Sequence, residues 1–133
     1  MRVVLDVNVI ISALLSPRGA PATVVRAWID GAFELVVSPR LLAELRRALA
    51  YPKLSARISP DLADEVVELL RRTAIMIEDP AGPPPMRSQD PDDDYLITLA
   101  QTAQALIVSG DRHLLDVPGL PVRTPAALLA ELR

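Results

Sequence analysis

Cysteine is absent from the 133 residues. Disulfides and thiolate metal sites are therefore excluded, and a reducing compartment is permitted. Histidine occurs once, as His113. With no second imidazole and no thiol, the usual catalytic triads are unavailable, and His113, on the polar turn RHLLD, is read as a surface residue. Aromatic side chains number four: Trp28, Phe33, Tyr51 and Tyr95. The core must then be built from Leu, Val, Ile and Ala, and a nucleic-acid platform of several stacking rings is not on offer. Lysine occurs once, as Lys53. The apolar run at the N-terminus is too short to span a bilayer as a helix. An acid in its middle, Asp6, and its strand-like start argue against a signal peptide. The expectation is a cytoplasmic protein that makes no use of a membrane.

What the chain does have is aliphatic bulk and arginine. Half of its residues are hydrophobic, and at this length one domain over residues 1–133 buries about two-thirds of its unfolded surface. So high an apolar share in a small chain points to a covered surface, as in a homodimer. Net charge is −3. Asp90, Asp92, Asp93 and Asp94 outweigh it, leaving the rest of the chain one charge positive. The basic residues are nearly all arginine, which suits bidentate phosphate contacts.

Punctuation divides the chain. Ser38-Pro39, Ser59-Pro60, Asp90-Pro91 and Thr124-Pro125 each pair an N-capping residue with a proline at the first helical position. They predict helices starting near residues 39, 60, 91 and 125. Pro21 to Asp30 reads as a further helix closed by Gly31, and Asn8 to Leu15 as an apolar helix or turn. Between them lie short apolar runs at residues 2–7, 33–37, 74–77, 105–108 and 120–122, which read as buried strands. Glu78 to Ser88 is a proline-rich loop, a flap or rim before the acidic cluster. Strands alternating with helices predict an α/β fold, a central parallel sheet of four or five strands between two helical layers.

The acids carry the chemistry. Asp6 is enclosed by Val4, Leu5 and Val7 at the end of the first strand. A carboxylate there is costly unless paired or metal-bound; the competing reading is a structural aspartate that caps the next segment. Four aspartates in the five positions from Asp90 to Asp94 exceed what a helix N-terminus requires. Asp111 follows a strand, where a Gly-Asp pair is also an ordinary turn. Glu44 borders the apolar face of its helix, where it can alternatively pair with Arg40 or Arg47. In a parallel sheet flanked by helices, strand ends and helix starts share one edge, so Asp6, Glu44, Asp93 and Asp111 point toward one rim. A cluster of carboxylates without His or Cys favours Mg²⁺ or Mn²⁺ and suits phosphodiester hydrolysis by a metal-activated water. Arg40, Arg46, Arg47 and Arg112 stand near the ends of elements bordering this rim and are candidate phosphate contacts.

Asp6-Val7-Asn8, Glu44, Asp93 with Ala100 seven residues on, and Ser109-Gly110-Asp111 together resemble the PIN-domain family. The resemblance runs from Val3 to about Pro125. It implies a small α/β/α fold, a Mg²⁺- or Mn²⁺-dependent ribonuclease activity on RNA, and, as for many bacterial members, a toxin paired with a protein antitoxin. Carried over by residue, the catalytic and metal-binding acids are Asp6, Glu44, Asp93 and Asp111. Asn8 and Ser109 are supporting polar residues, Ser109 keeping the hydroxyl of a frequent threonine. Asp94 stands one position off the third acid, and Asp90 and Asp92 flank it. Two alternatives differ in class. A haloacid-dehalogenase-type phosphatase also opens with an acid after the first strand, but it needs a second acid where Asn8 stands. A catalytically silent PIN fold would act as a binding module, which retention of all four acids disfavours.

Overall fold

The computed structural model describes residues 1–81 and 93–133. Five strands, β1 (Arg2–Leu5), β2 (Glu34–Val37), β3 (Ile75–Met76), β4 (Leu106–Val108) and β5 (Val122–Arg123), form one sheet. Their order is β3-β2-β1-β4-β5, and every pairing is parallel. Valine and leucine runs suit this arrangement because an inner parallel strand is covered on both faces. Val3, Val4 and Leu5 of β1 are accordingly buried, as are Leu35 to Val37 of β2 and Ile107 and Val108 of β4.

Among the described residues there are eight helices: α1 (Val7–Leu15), α2 (Ala20–Ile29), α3 (Pro39–Leu49), α4 (Pro52–Ser55), α5 (Pro60–Thr73), α6 (Asp94–Ala103), α7 (Arg112–Leu115) and α8 (Pro125–Glu131). Right-handed crossovers place the helices that join β1, β2 and β3 on one face of the sheet and α6, which leads into β4, on the other. Helix α6 lies against β1 and β4, α1 packs on α2, α8 on α2, and α5 on α3. The result is a three-layer α/β/α architecture.

The serine and threonine caps form as the sequence predicts. Ser38 Oγ accepts from Leu41 N, Ser59 Oγ from Leu62 N, and Thr124 Oγ1 from Ala127 N, each at 3.1 Å. Each such cap contributes on the order of 1 kcal/mol. Helix α6 begins at Asp94, with Asp93 as its N-cap; the expected start near residue 91, with Asp90, Asp92 and most of the proline-rich loop, lies outside the described residues. One expectation needs correction, and one element was not expected. The segment read as the polar turn RHLLD forms the one-turn helix α7, because Asp111 caps it and Leu114 is buried beneath it. The single turn α4 after Tyr51-Pro52 was not anticipated, since Tyr51 offers no side-chain cap. No helix among the described residues is long and apolar enough to cross a membrane.

The core is continuous and aliphatic, from β1 and β4 to Leu41 and Leu45 of α3 and Leu96, Ile97 and Leu99 of α6. Ile107→Ala, at the centre of β4 and fully buried, should cost about 2–5 kcal/mol in chemical denaturation. Leu69→Ala on α5, where the side chain is 39% exposed, should stay within about 1 kcal/mol. Equal losses at the two positions would contradict this layering.

Candidate active site

The chain leaves β1 toward β2 and β3 on one side and leaves β4 toward β5 on the other. The carboxyl ends of β1 and β4 therefore meet at a topological switch point, where α/β sheets open a crevice. Leu5 and Val108 are in register there, and Asp6 N donates to Val108 O at 3.0 Å. The residue after β1 is Asp6, and those after β4 are Ser109, Gly110 and Asp111. Pairing of the two strands alone brings together acids 105 positions apart in sequence.

Asp6 is 5% exposed and Ser109 fully buried. The Ser109 hydroxyl donates to Asp6 Oδ2 at 2.7 Å and accepts from Asp111 N at 2.9 Å. It thus fixes both acid-bearing loops at once. Asp6 Oδ1 accepts from Asn8 N at a long 3.3 Å and caps α1. Asp111 Oδ1 accepts from His113 N at 2.9 Å and caps α7. The capping role weighed for Asp6 is therefore real, and the carboxylate is buried as well. Burial pushes the Asp6 carboxyl above its usual value, and the nearby charge of Asp111 pushes it the same way, against the hydrogen bonds from Ser109 and Asn8. This is an environment short of positive charge.

A cavity of about 580 Å³ opens at this point, lined by Asp6, Asn8 and Asp111 together with α2 residues and Thr124 and Pro125 at the start of α8. The contribution of α8 went unread in the sequence, although Thr124-Pro125 marks a helix start on the same sheet edge. Glu44 and Asp93 do not line this cavity. They approach from the side of Tyr95, in the first turn of α6. Burial raises the Tyr95 hydroxyl well above its usual value, and the charges of Asp6, Glu44 and Asp93 add to the effect, while Arg40 opposes it. The ring therefore senses three of the four acids. Sequence reasoning passed over it because one tyrosine in an apolar helix carries no pattern of its own.

The Glu44 carboxylate is bound by Arg47 at 2.5 Å, the i,i+3 pairing that competed with the functional reading. Arg46 pairs with Asp64 at 2.5 Å. Arg40 lies over Tyr95, its guanidinium carbon 4.7 Å from the ring centroid, and Arg112 is exposed beside Asp111. Among the described residues, no three acidic or imidazole side chains stand close enough together to hold a metal ion. The donor chemistry is nonetheless that of a hard cation: all oxygen, with one carboxylate buried in a site lacking positive charge.

A profile of the PIN domain matches residues 2–113. The chain belongs to the PIN-domain family, whose members are for the most part metal-dependent nucleases, and the phosphatase alternative gives way to it. An uncharacterised protein of Methanocaldococcus jannaschii is 27% identical over 120 residues, covering 88% of this chain and 75% of the relative. In fold the chain is similar to VapBC2 from Rickettsia felis bound to a DNA fragment from its promoter, at TM-score 0.67 and 14% identity over 93% of this chain and 98% of that one. It is also similar to FitAcB from Neisseria gonorrhoeae, at TM-score 0.61 and 20% identity over the same shares.

The raised Asp6 value sets a sign. The folded state holds this proton to higher pH than the unfolded state, so the Asp6 contribution is fully present below the unfolded value of about 3.8. It is lost as pH rises through the folded value. In metal-free buffer, Asp6→Asn should therefore gain stability relative to the unsubstituted protein as pH rises from about 3.8. Thermal midpoints compared across pH in chelator check this. A difference that stays flat, or runs the other way, would show that the hydrogen bonds outweigh burial.

Proposed function

We propose that the chain is a Mg²⁺- or Mn²⁺-dependent endoribonuclease, cytoplasmic, and the toxin of a toxin–antitoxin pair. The observation that carries this is the convergence of Asp6 and Asp111, joined by the Ser109 hydroxyl, at the switch point of a PIN fold. Asp6, Asp93, Asp111 and Glu44 would hold the cation. When bound, the cation supplies an activated water and charge neutralisation for phosphodiester hydrolysis. The chain's own residues do the rest. Ser109 orients the Asp6 carboxylate, and Asn8 steadies its second oxygen from the first turn of α1. Asp94 adds negative charge that draws cations to the rim, and Asp90 and Asp92, its near neighbours in sequence, are assigned the same supporting role. Glu44 must exchange Arg47 for the metal. RNA is the substrate, held through its phosphates by arginine rather than by a row of stacked rings. The family resemblance supports a protein antitoxin as partner, with a second copy of the chain as a further one.

Asp6→Asn, Glu44→Gln, Asp93→Asn and Asp111→Asn should each lower divalent-dependent RNA cleavage by more than the roughly 10–100-fold seen when a ligand's supporting partner is lost. The fold should survive in each, by circular dichroism. In chelator the Asp93→Asn midpoint should be unchanged or higher, because a like charge has been removed. RNA cleavage that persists in chelator would sink the metal reading. Release of phosphate from a small ester without RNA cleavage would point to a phosphatase, and RNA binding without cleavage to a silent module.

A further inference from the structure

The four arginines expected to contact the substrate are not equivalent, and Arg46 lines a separate cavity with Arg71 and Met76. Arg46 and Arg47 are committed to Asp64 and Glu44. Arg40 differs. Among the described residues no carboxylate pairs with its guanidinium, which rests instead on the Tyr95 ring at 4.7 Å. Its backbone is pinned where α3 begins, Arg40 N donating to Asp79 Oδ2 at 2.8 Å. A guanidinium held over an aromatic face by cation–π attraction still has N–H donors to offer another partner. Those donors fit two oxygens of one phosphate. Position supports the same reading. Arg40 lies one helical turn before Glu44 on α3, and Tyr95 lies two residues after Asp93 at the start of α6. The stack therefore bridges the helices that carry the two acids outside the β1–β4 junction. It places a positive charge beside a cluster that otherwise repels the nucleic-acid backbone.

We propose that Arg40 is the substrate's phosphate anchor and that Tyr95 is its positioning residue, a platform that holds the guanidinium edge-on to an RNA phosphate next to the cleaved bond. This rests on the nuclease reading and specifies where that site grips its substrate. The Tyr95 hydroxyl has no part in the contact; the ring face does. Tyr95→Phe should therefore behave like the unsubstituted protein, whereas Tyr95→Leu should behave like a weaker form of Arg40→Ala.

The test measures steady-state cleavage of a short single-stranded RNA in Mg²⁺, and binding of the same RNA by Glu44→Gln proteins across a salt series. Arg40→Ala should raise KM about tenfold, the loss of one charge-assisted contact, with kcat within about twofold. Its binding should lose about 0.7 from the slope of log affinity against log salt, the share of one phosphate. Arg40→Lys should restore the slope but only part of KM, since an ammonium cannot make the bidentate contact. Tyr95→Leu should raise KM about threefold, and combining it with Arg40→Ala should add nothing. Because Arg40 is exposed, its replacement leaves the fold intact and keeps the test open even if Tyr95→Leu unfolds. If RNA is cleaved but Arg40→Ala changes neither KM nor the salt slope, the anchor is refuted and the nuclease reading stands. A loss in Tyr95→Phe equal to that in Tyr95→Leu would overturn the platform. Neither cleavage nor binding of RNA by the unsubstituted chain would overturn both readings.

Discussion

A carboxylate buried between two parallel strands is the constraint on which the site depends. Asp6 is taken out of water by the same pairing of β1 with β4 that builds the centre of the sheet. Burial of this kind is tolerable only when the oxygens are satisfied. Ser109 supplies the strong bond and Asn8 N the weak one. Ser109 can do so because it too is buried and held by the sheet edge, its own N–H donating to Arg123 O of β5 at 3.0 Å. The fold and the site are therefore not separable here. The core strands set the position of Asp6, Asp6 and Ser109 set that of Asp111, and the like charge of Asp111 then works against ionisation of Asp6. The arrangement is internally consistent as protein and electrostatically incomplete, which is the condition the proposed cation site requires.

The second pair of acids is held differently. Glu44 stands on α3 with its side chain 33% exposed, against an Arg47 that is 64% exposed. A solvent-accessible ion pair of this type contributes at most about 1 kcal/mol, because water and salt screen it and two long side chains must be ordered. Exchange of Arg47 for a better cation is thus an inexpensive motion. The contrast with Asp6 follows from burial alone. One acid is fixed by the sheet and cannot turn away, and the other is free to change partners. A cluster of carboxylates needs some such division, since acids all locked in mutual contact would repel one another and destabilise the fold.

How legible this was in the sequence depended on the strength of each local signal. Ser-Pro and Thr-Pro pairs located three helix starts because cap and proline are local devices that act without tertiary help. Apolar runs located all five strands, with ends shifted by one or two residues. Helix α7 was missed because a single turn has too few residues for periodicity, and what forms it is a cap from Asp111 and the burial of Leu114. At the candidate site, the shared sheet edge of Asp6 and Asp111 was legible because Asp6 directly follows β1 and Asp111 stands three residues past the end of β4. Glu44 was legible only with its competitor, and the competitor Arg47 occupies it in this structure. Tyr95 was not legible as part of the site at all. Its meaning lies in three acids and one arginine drawn from three separate parts of the chain, the end of β1, α3 and the start of α6, and no spacing within α6 encodes that.

The two oxygens of Asp6 are not alike, and the difference follows from the same geometry. Oδ2 accepts a short bond from a hydroxyl that has no solvent to turn to, so that contact is hard to displace. Oδ1 accepts only a long bond from Asn8 N at the start of α1. Giving up a 3.3 Å neutral bond costs little when a charged partner replaces it. On the proposed metal-dependent reading, Oδ1 is the oxygen that would take the cation, while Oδ2 keeps the carboxylate in register with Asp111 through Ser109. A hydroxyl at position 109 serves this division better than a second acid or an amide would. It donates to Asp6 while accepting from Asp111 N, and it adds no charge to a crevice that already has too much of one sign.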